Sequence, residues 1–238
     1  NVLTKRVCLD WIQRVMALGG VGVVEFSADL VELLLKMEDC NAHRDTTQEA
    51  IRSISQELQS LLRSEAGKGE SDYDKVLDAV LEGIKSDADE ARLQSLLWLE
   101  LLMEIVPEEG EEGLGIRMNK ILPALLLRLH DSDQQVVKAV LDVIGRLCEG
   151  ETHHLFKPVM KQIYLHLKSE RVVLQERGGL IVRKLCVCLG ARSVFMQLAA
   201  HIDEEESDLE FAVAFVDKLS MILLTVPEAS GLRNELTG

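Results

Sequence analysis

Apolar residues recur along this chain at three- and four-residue spacings, in blocks broken by short acidic kinks. The spacing predicts helices over Thr4–Leu18, Glu25–Met37, Arg44–Arg63, Tyr73–Ile84, Ala88–Val106 and Asn119–Leu129. Further helices are expected over Asp133–Cys148, Leu155–Leu167, Arg171–Leu189, Val194–His201 and Ser207–Thr225, and one more opens at Leu232–Leu236. The first block carries Val7, Cys8, Trp11, Ile12, Val15, Met16 and Leu18 on one stripe, ends at Gly19, Gly20 and Gly22, and reads as the second helix of a pair whose first helix is missing. In the third block Ile51, Ile54, Leu58, Leu61 and Leu62 are expected to face inward. The kinks lie at Lys36–Asp39, Ile84–Asp87, Leu129–Asp133, Leu167–Glu170 and Ile202–Glu205, recurring roughly every 34 to 48 residues.

Acidic kinks have a physical reason. Asp and Ser oxygens accept from the free N–H groups that open the following helix, and negative charge there complements the helix dipole. Asp131 or Asp133, ahead of Gln134, is the clearest candidate. Pro123 is expected near the start of a first helix, where its missing N–H costs least. The run Ile121–Leu126 through Asp131 to Val136–Val140 follows the HEAT-repeat pattern closely. A helix pair of this kind cannot bury its apolar face alone and must stack on its neighbours. The expected fold is all-α: a HEAT/armadillo-type α-solenoid of about five antiparallel helix pairs.

Composition supports that reading. The chain is 47% hydrophobic but only 4% aromatic, so branched aliphatics supply the core, and four prolines with little strand-like alternation argue against an all-β fold. The net charge of −14, with no basic cluster, weighs against nucleic acid and against direct contact with an anionic lipid surface. No apolar run reaches the ~18 residues of a membrane span. The five cysteines (Cys8, Cys40, Cys148, Cys186, Cys188) read as reduced core residues of a cytosolic protein. Cys186 and Cys188 are two apart on a helix and point to different faces.

Little in the sequence suggests catalysis. His153, His154 and His166, with Glu151 nearby, do not converge as a zinc site requires. Ala66–Ser71 lacks the first glycine of a phosphate loop and follows no strand, and Gly19–Gly22 follows a helix rather than opening one. The acidic runs Glu108–Glu112 and Asp203–Asp208 read as solvated loops, and Ser64–Asp72 as a flexible connector. The expectation is a protein that is not an enzyme and takes no cofactor or metal.

Ser169–Cys186 departs from the local pattern. Gly178 and Gly179 fall inside a helix, where each costs about 1 kcal/mol relative to alanine. Arg171, Glu176, Arg177 and Arg183 are spaced so that several could share a ridge. Two readings stand: glycines that admit a close neighbour with charges paired locally, or a ridge of arginine anchors for a partner.

The same segment carries a resemblance. Ser169–Arg171, Leu174, Glu176–Gly178, Ile181, Arg183 and Leu185–Cys186 resemble the vacuole-morphology scaffold (ArPIKfyve) family. Ile222–Thr225, Leu232–Asn234 and Leu236 are similar to it as well, and Cys8, Trp11, Leu97–Leu99 and Leu122–Pro123 follow in the family's order. The resemblance implies a middle-to-C-terminal fragment, with residues 1–150 as HEAT-type repeats and 151–238 as the start of a C-terminal region for phosphatase binding and self-assembly. It implies a scaffold for the phosphatidylinositol 3-phosphate 5-kinase and its opposing Sac-type phosphatase, regulating phosphatidylinositol 3,5-bisphosphate. The full-length protein would self-associate and reach vacuolar or late endosomal membranes indirectly, through the complex. The expected partner-binding residues are Arg171, Glu176, Arg177 and Arg183, with Arg233 and Asn234 as a second group. The rival reading is a generic HEAT adaptor in nuclear transport or chromosome organisation.

Overall fold

The computed structural model describes residues 2–39, 46–65, 73–106, 114–148, 153–204 and 208–237. Every regular element among them is helical. The helices are α1 (Val2–Gly19), α2 (Ser27–Asp39), α3 (Thr46–Glu65), α4 (Tyr73–Ile84), α5 (Asp89–Ile105) and α6 (Leu114–Leu127). They continue with α7 (Gln134–Leu147), α8 (His153–Ser169), α9 (Arg171–Leu189), α10 (Ala191–Asp203), α11 (Leu209–Thr225) and α12 (Ser230–Thr237). Short 3₁₀ turns occupy Gly20–Phe26, Arg128–His130 and Pro227–Ala229. The expected helix pairs α2/α3, α4/α5 and α8/α9 pack together, and the fold is an all-α solenoid of the HEAT type.

The chain forms two compact units, residues 1–124 and 125–238. In the first, α2 packs on α4, while α3 packs on both α1 and α5. Two layers result, first helices in one and second helices in the other. Ile51, Ile54, Leu58 and Leu62 of α3 are buried as their spacing required, with Leu61 half-buried. Gly83 lets α4 approach α5: a Cβ there would lie 2.2 Å from Ser95 Oγ. The second unit repeats the two-layer logic, with α8 against α10 and α9 between α7 and α11. Gly145 permits the α7–α9 approach, since a Cβ would stand 2.9 Å from Cys188 Cβ. Gly190 ends α9 at φ +82°, a conformation that favours glycine.

Five expectations change. Pro123 lies well inside α6, because the helix begins at Leu114 rather than near Asn119. The cost stays tolerable because Pro123 and Asn119 are both exposed, so the carbonyl that loses its donor can be hydrated. Cys8 is exposed, whereas Cys148 and Cys186 are buried and Cys188 is intermediate; Cys40 lies outside the described residues. The α1 stripe is mostly an outer face: Val7, Trp11, Val15 and Leu18 are exposed, and of the stripe residues only Met16 is buried, together with Leu9 from outside it. Periodicity identifies a face but not what covers it. The kinks, fourth, are not uniformly capped by their acids. Asp133 accepts from Gln135 N–H at 2.7 Å, and Asp131 from Asp133 N–H at 3.0 Å. Ahead of α5 the acceptor is Ser86 Oγ, bound by Ala88 N–H at 3.0 Å, while buried Arg92 donates to the carbonyls of Ser86 and Asp87 at 2.9 and 2.8 Å. Glu170 makes no side-chain cap to α9. Last, Asp208 does not belong to a solvated loop; it is the N-cap of α11. Asp133→Ala should lower the unfolding free energy by about 1 kcal/mol, measured by equilibrium urea unfolding.

Of the connector expected at Ser64–Asp72, Ser64 and Glu65 end α3 and the rest lies outside the described residues, as does the acidic run at Glu108–Glu112.

Ion pairs follow the repeat period. Arg52–Glu90 (2.7 Å), Arg63–Glu104 (2.9 Å) and Lys120–Asp78 (2.9 Å) tie neighbouring repeats in the first unit. Lys184–Asp142 (2.7 Å) and Arg192–Glu235 (2.6 Å) do so in the second. Most of these groups are substantially exposed, so each pair stabilises little and chiefly fixes register.

Candidate functional site

α9 carries most of the sequence-predicted charges, and the fold sends them in different directions. Arg171, Arg177 and Arg183 are six residues apart, so each is rotated about 240° from the last. No single ridge holds all three. This helix is apolar on several sides because it packs against α7, α8, α10 and α11 as well as two 3₁₀ turns. Its charges therefore reach several neighbours.

Arg171 pairs with Asp208 and lies over the Phe211 ring, with its guanidinium carbon 4.4 Å from the ring centroid. Asp208 also accepts from the Phe211 backbone N–H at 3.0 Å, so one carboxylate caps α11 and anchors α9. Arg177 donates to the Asp131 carbonyl at 2.8 Å, fastening α9 to the turn before α7. Arg183 donates through Nε and Nη2 to Glu228 Oε1 at 3.2 and 3.0 Å, reaching the turn before α12. Lys218 of α11 donates to the Gln175 carbonyl at 3.1 Å. Arg233 donates to the carbonyls of Leu223 and Val226 at 2.6 and 2.9 Å, closing the end of α11. Glu176 is exposed on α9 and Asn234 is exposed on α12. Sequence reading missed the partners Asp131, Asp208 and Glu228. Asp208 and Glu228 signal themselves only as acids 37 and 45 residues from Arg171 and Arg183, about one repeat away, and the main-chain carbonyl of Asp131, 46 residues from Arg177, leaves no side-chain signal at all.

Beneath Arg171 lies an aromatic cluster. Phe211 and Phe215 stack at 5.2 Å, and Tyr164 meets them edge-on at 5.3 and 5.7 Å. Tyr164 also stands 5.4 Å from the His201 ring. With both Phe rings buried, the cluster locks α8 to α11.

His166 stacks on His130 with ring centroids 6.4 Å apart. Burial pushes the His166 imidazole below its usual range, Glu170 opposes that shift, and His130 adds to it. The fold thus favours the neutral ring. Above the ordinary value of 6.5 neither state is charged there, and the full stability is present. As pH falls below it, the unfolded chain takes up the proton first and stability is lost towards the depressed folded value. The unfolding free energy should therefore fall as pH drops through 6.5 towards the depressed folded value, and His166→Phe should remove part of that fall, read from urea unfolding at each pH.

Burial raises the Cys186 thiol to about 11, which makes it a poor nucleophile at neutral pH. A cleft of about 720 Å³ lies between α2 and α4, but Lys36 and Lys85 on its wall are paired with Glu32 and Glu82. Its lining forms no basic cradle for a phosphate. Among the described residues no group of three His, Cys, Asp or Glu side chains is placed to hold a metal, and no helix is long and apolar enough to cross a membrane.

Helix pairs stacked in two layers and tied repeat to repeat by charge define a HEAT-type helical-repeat protein. Residues 121–150 match the HEAT repeat family model, and residues 171–238 match the family model described as vacuolar protein 14 C-terminal Fig4p binding. The chain is 31% identical over 237 residues to the protein VAC14 homolog of Arabidopsis thaliana, covering 99% of this chain and 30% of that protein. It is 29% identical over 213 residues to the protein VAC14 homolog of Schizosaccharomyces pombe, covering 89% of this chain and 24% of that one. Vacuole morphology and inheritance protein 14 of Saccharomyces cerevisiae is 22% identical over 234 residues, covering 97% and 26%. The chain belongs to the VAC14 family. It spans less than a third of the length of these curated relatives. No solved structure matches it. The resemblance drawn from Ser169–Leu236 falls almost wholly on the segment matched at residues 171–238.

Proposed function

We propose that this chain is part of a non-enzymatic scaffold that organises the phosphatidylinositol 3-phosphate 5-kinase and its opposing Sac-type phosphatase. The scaffold thereby regulates synthesis and turnover of phosphatidylinositol 3,5-bisphosphate on vacuolar and late endosomal membranes. The observation that carries this reading is the match of residues 171–238 to a family model named for Fig4p binding. The stacked helix pairs support it, because a repeat stack offers extended surfaces. Holding two enzymes on one body raises the effective concentration of each for the other's product. Membrane contact is indirect, through the complex, and the acidic net charge of −14 accords with that.

In this reading residues 1–150 are HEAT-type repeats and residues 151–238 open the region for phosphatase binding and self-assembly. Arg171, Glu176, Arg177, Arg183, Arg233 and Asn234 belong to the partner-binding segment. The four arginines act as positioning residues, since each ties α9 or α12 to a neighbouring element. The test is co-purification of kinase and phosphatase with the full-length protein, followed by reversal of Arg177 and Arg183 to glutamate. Both enzymes should co-purify with wild type, and the variant should lose phosphatase while keeping its circular dichroism spectrum. Recovery of neither enzyme with the wild-type protein would overturn the scaffold reading.

A further inference from the structure

α11 is apolar on two opposite sides. Phe211, Phe215, Leu219 and Ile222 face the core and are buried. Leu209, Val213, Val216 and Leu224 fall on the opposite side, and their exposures are 71, 62, 43 and 72%. At about 100° per residue these four lie within roughly 80° of one another, a stripe along the helix broken by exposed Ser220 between Val216 and Leu224. A helix face carrying several exposed large apolar side chains marks an interaction surface more often than bare solvent contact. Of the nine large apolar side chains exposed in residues 171–238 among the described residues, five are on α11, so the feature belongs to this helix and is not scattered.

We propose that this α11 stripe is the docking face for the Sac-type phosphatase. The proposal rests on the scaffold reading above and supplies the surface that reading lacks. Two observations select this occupant. The stripe lies inside the segment whose family model is named for that partner, and Arg177 and Arg183 of α9, the rival anchors, are engaged within the fold. Along one margin the stripe is bordered by exposed Glu210 and Asp217, so the matching segment of the phosphatase presents apolar side chains flanked by Lys or Arg. A second copy fits less well. The chain carries a net charge of −14, and in an antiparallel two-fold pairing that acidic margin would meet itself.

The experiment measures phosphatase binding to the full-length protein by titration, with Val213→Asp, Leu224→Asp and the milder Val213→Ser. Val187→Asp serves as control, because Val187 is exposed on α9 and off the stripe. Each aspartate variant should weaken binding at least about 30-fold, as loss of a buried interface anchor does. Val213→Ser should weaken it less, and Val187→Asp should bind like wild type. Unfolding midpoints and sedimentation mass should stay at the wild-type values. If wild type does not bind, the scaffold reading itself fails. If wild type binds and both aspartate variants bind within about twofold of it, the α11 face is wrong and the scaffold reading stands. A changed sedimentation mass would assign the stripe to a second copy, and a lowered midpoint in all three α11 variants to the protein's own chain. Either result overturns the proposal.

Discussion

Phe211→Ala should destabilise the second unit by about 3–5 kcal/mol, the range for removing a buried aromatic side chain. The ring is 1% exposed, and its loss leaves a hole facing Phe215 and Tyr164. It also removes the surface on which the Arg171 guanidinium lies, while the Asp208 cap to the residue 211 backbone N–H is retained. Phe211→Leu should therefore cost clearly less than alanine, because it refills part of the hole and keeps the cap. Urea unfolding followed by circular dichroism checks both, and equal losses for the two variants would mean that packing around the ring is not what holds α11.

Trp98→Ala should produce a loss of similar size, about 3–5 kcal/mol, in the first unit. Trp98 is fully buried on α5, and its indole N–H has no hydrogen-bond partner among the described residues. That unsatisfied donor carries a penalty of about 1–3 kcal/mol that phenylalanine would not. Trp98→Phe is thus expected to recover most of what alanine loses, since lost volume and a relieved donor oppose one another. If the Phe variant is as unstable as Ala, the N–H is satisfied and the burial argument is incomplete.

The architecture was largely legible because helical periodicity is local. The limits of α4 and α9 follow directly from apolar spacing and their flanking residues, and Asp133 announces its cap two residues ahead of its donor. What escaped was non-local or depended on solvation. The start of α6 was hidden because an interior proline normally ends a helix, and only exposure on that face makes Pro123 tolerable. Stripe residues on α1 and α11 look identical in sequence to core positions, since periodicity does not report what covers a face. The α9 arginines were visible as unusual, but their partners are 37 to 46 residues away. Only the fold joins Arg177 to the Asp131 turn, or Arg183 to Glu228.

Those contacts also recast Ser169–Cys186. Of its two glycines, buried Gly178 packs a Cβ position against Leu174 at 3.0 Å, while nothing lies within 4 Å of Gly179. The segment is the hub of the second unit, and the surface it supports lies on α11.

Hydrogen–deuterium exchange on the full-length protein, with and without the phosphatase, tests the central claim most directly. The account predicts that binding slows exchange within residues 171–238, with the strongest protection along α11, and leaves the repeats of the first unit unchanged. Protection confined to residues before 171, with α11 exchanging as in the free protein, would contradict it.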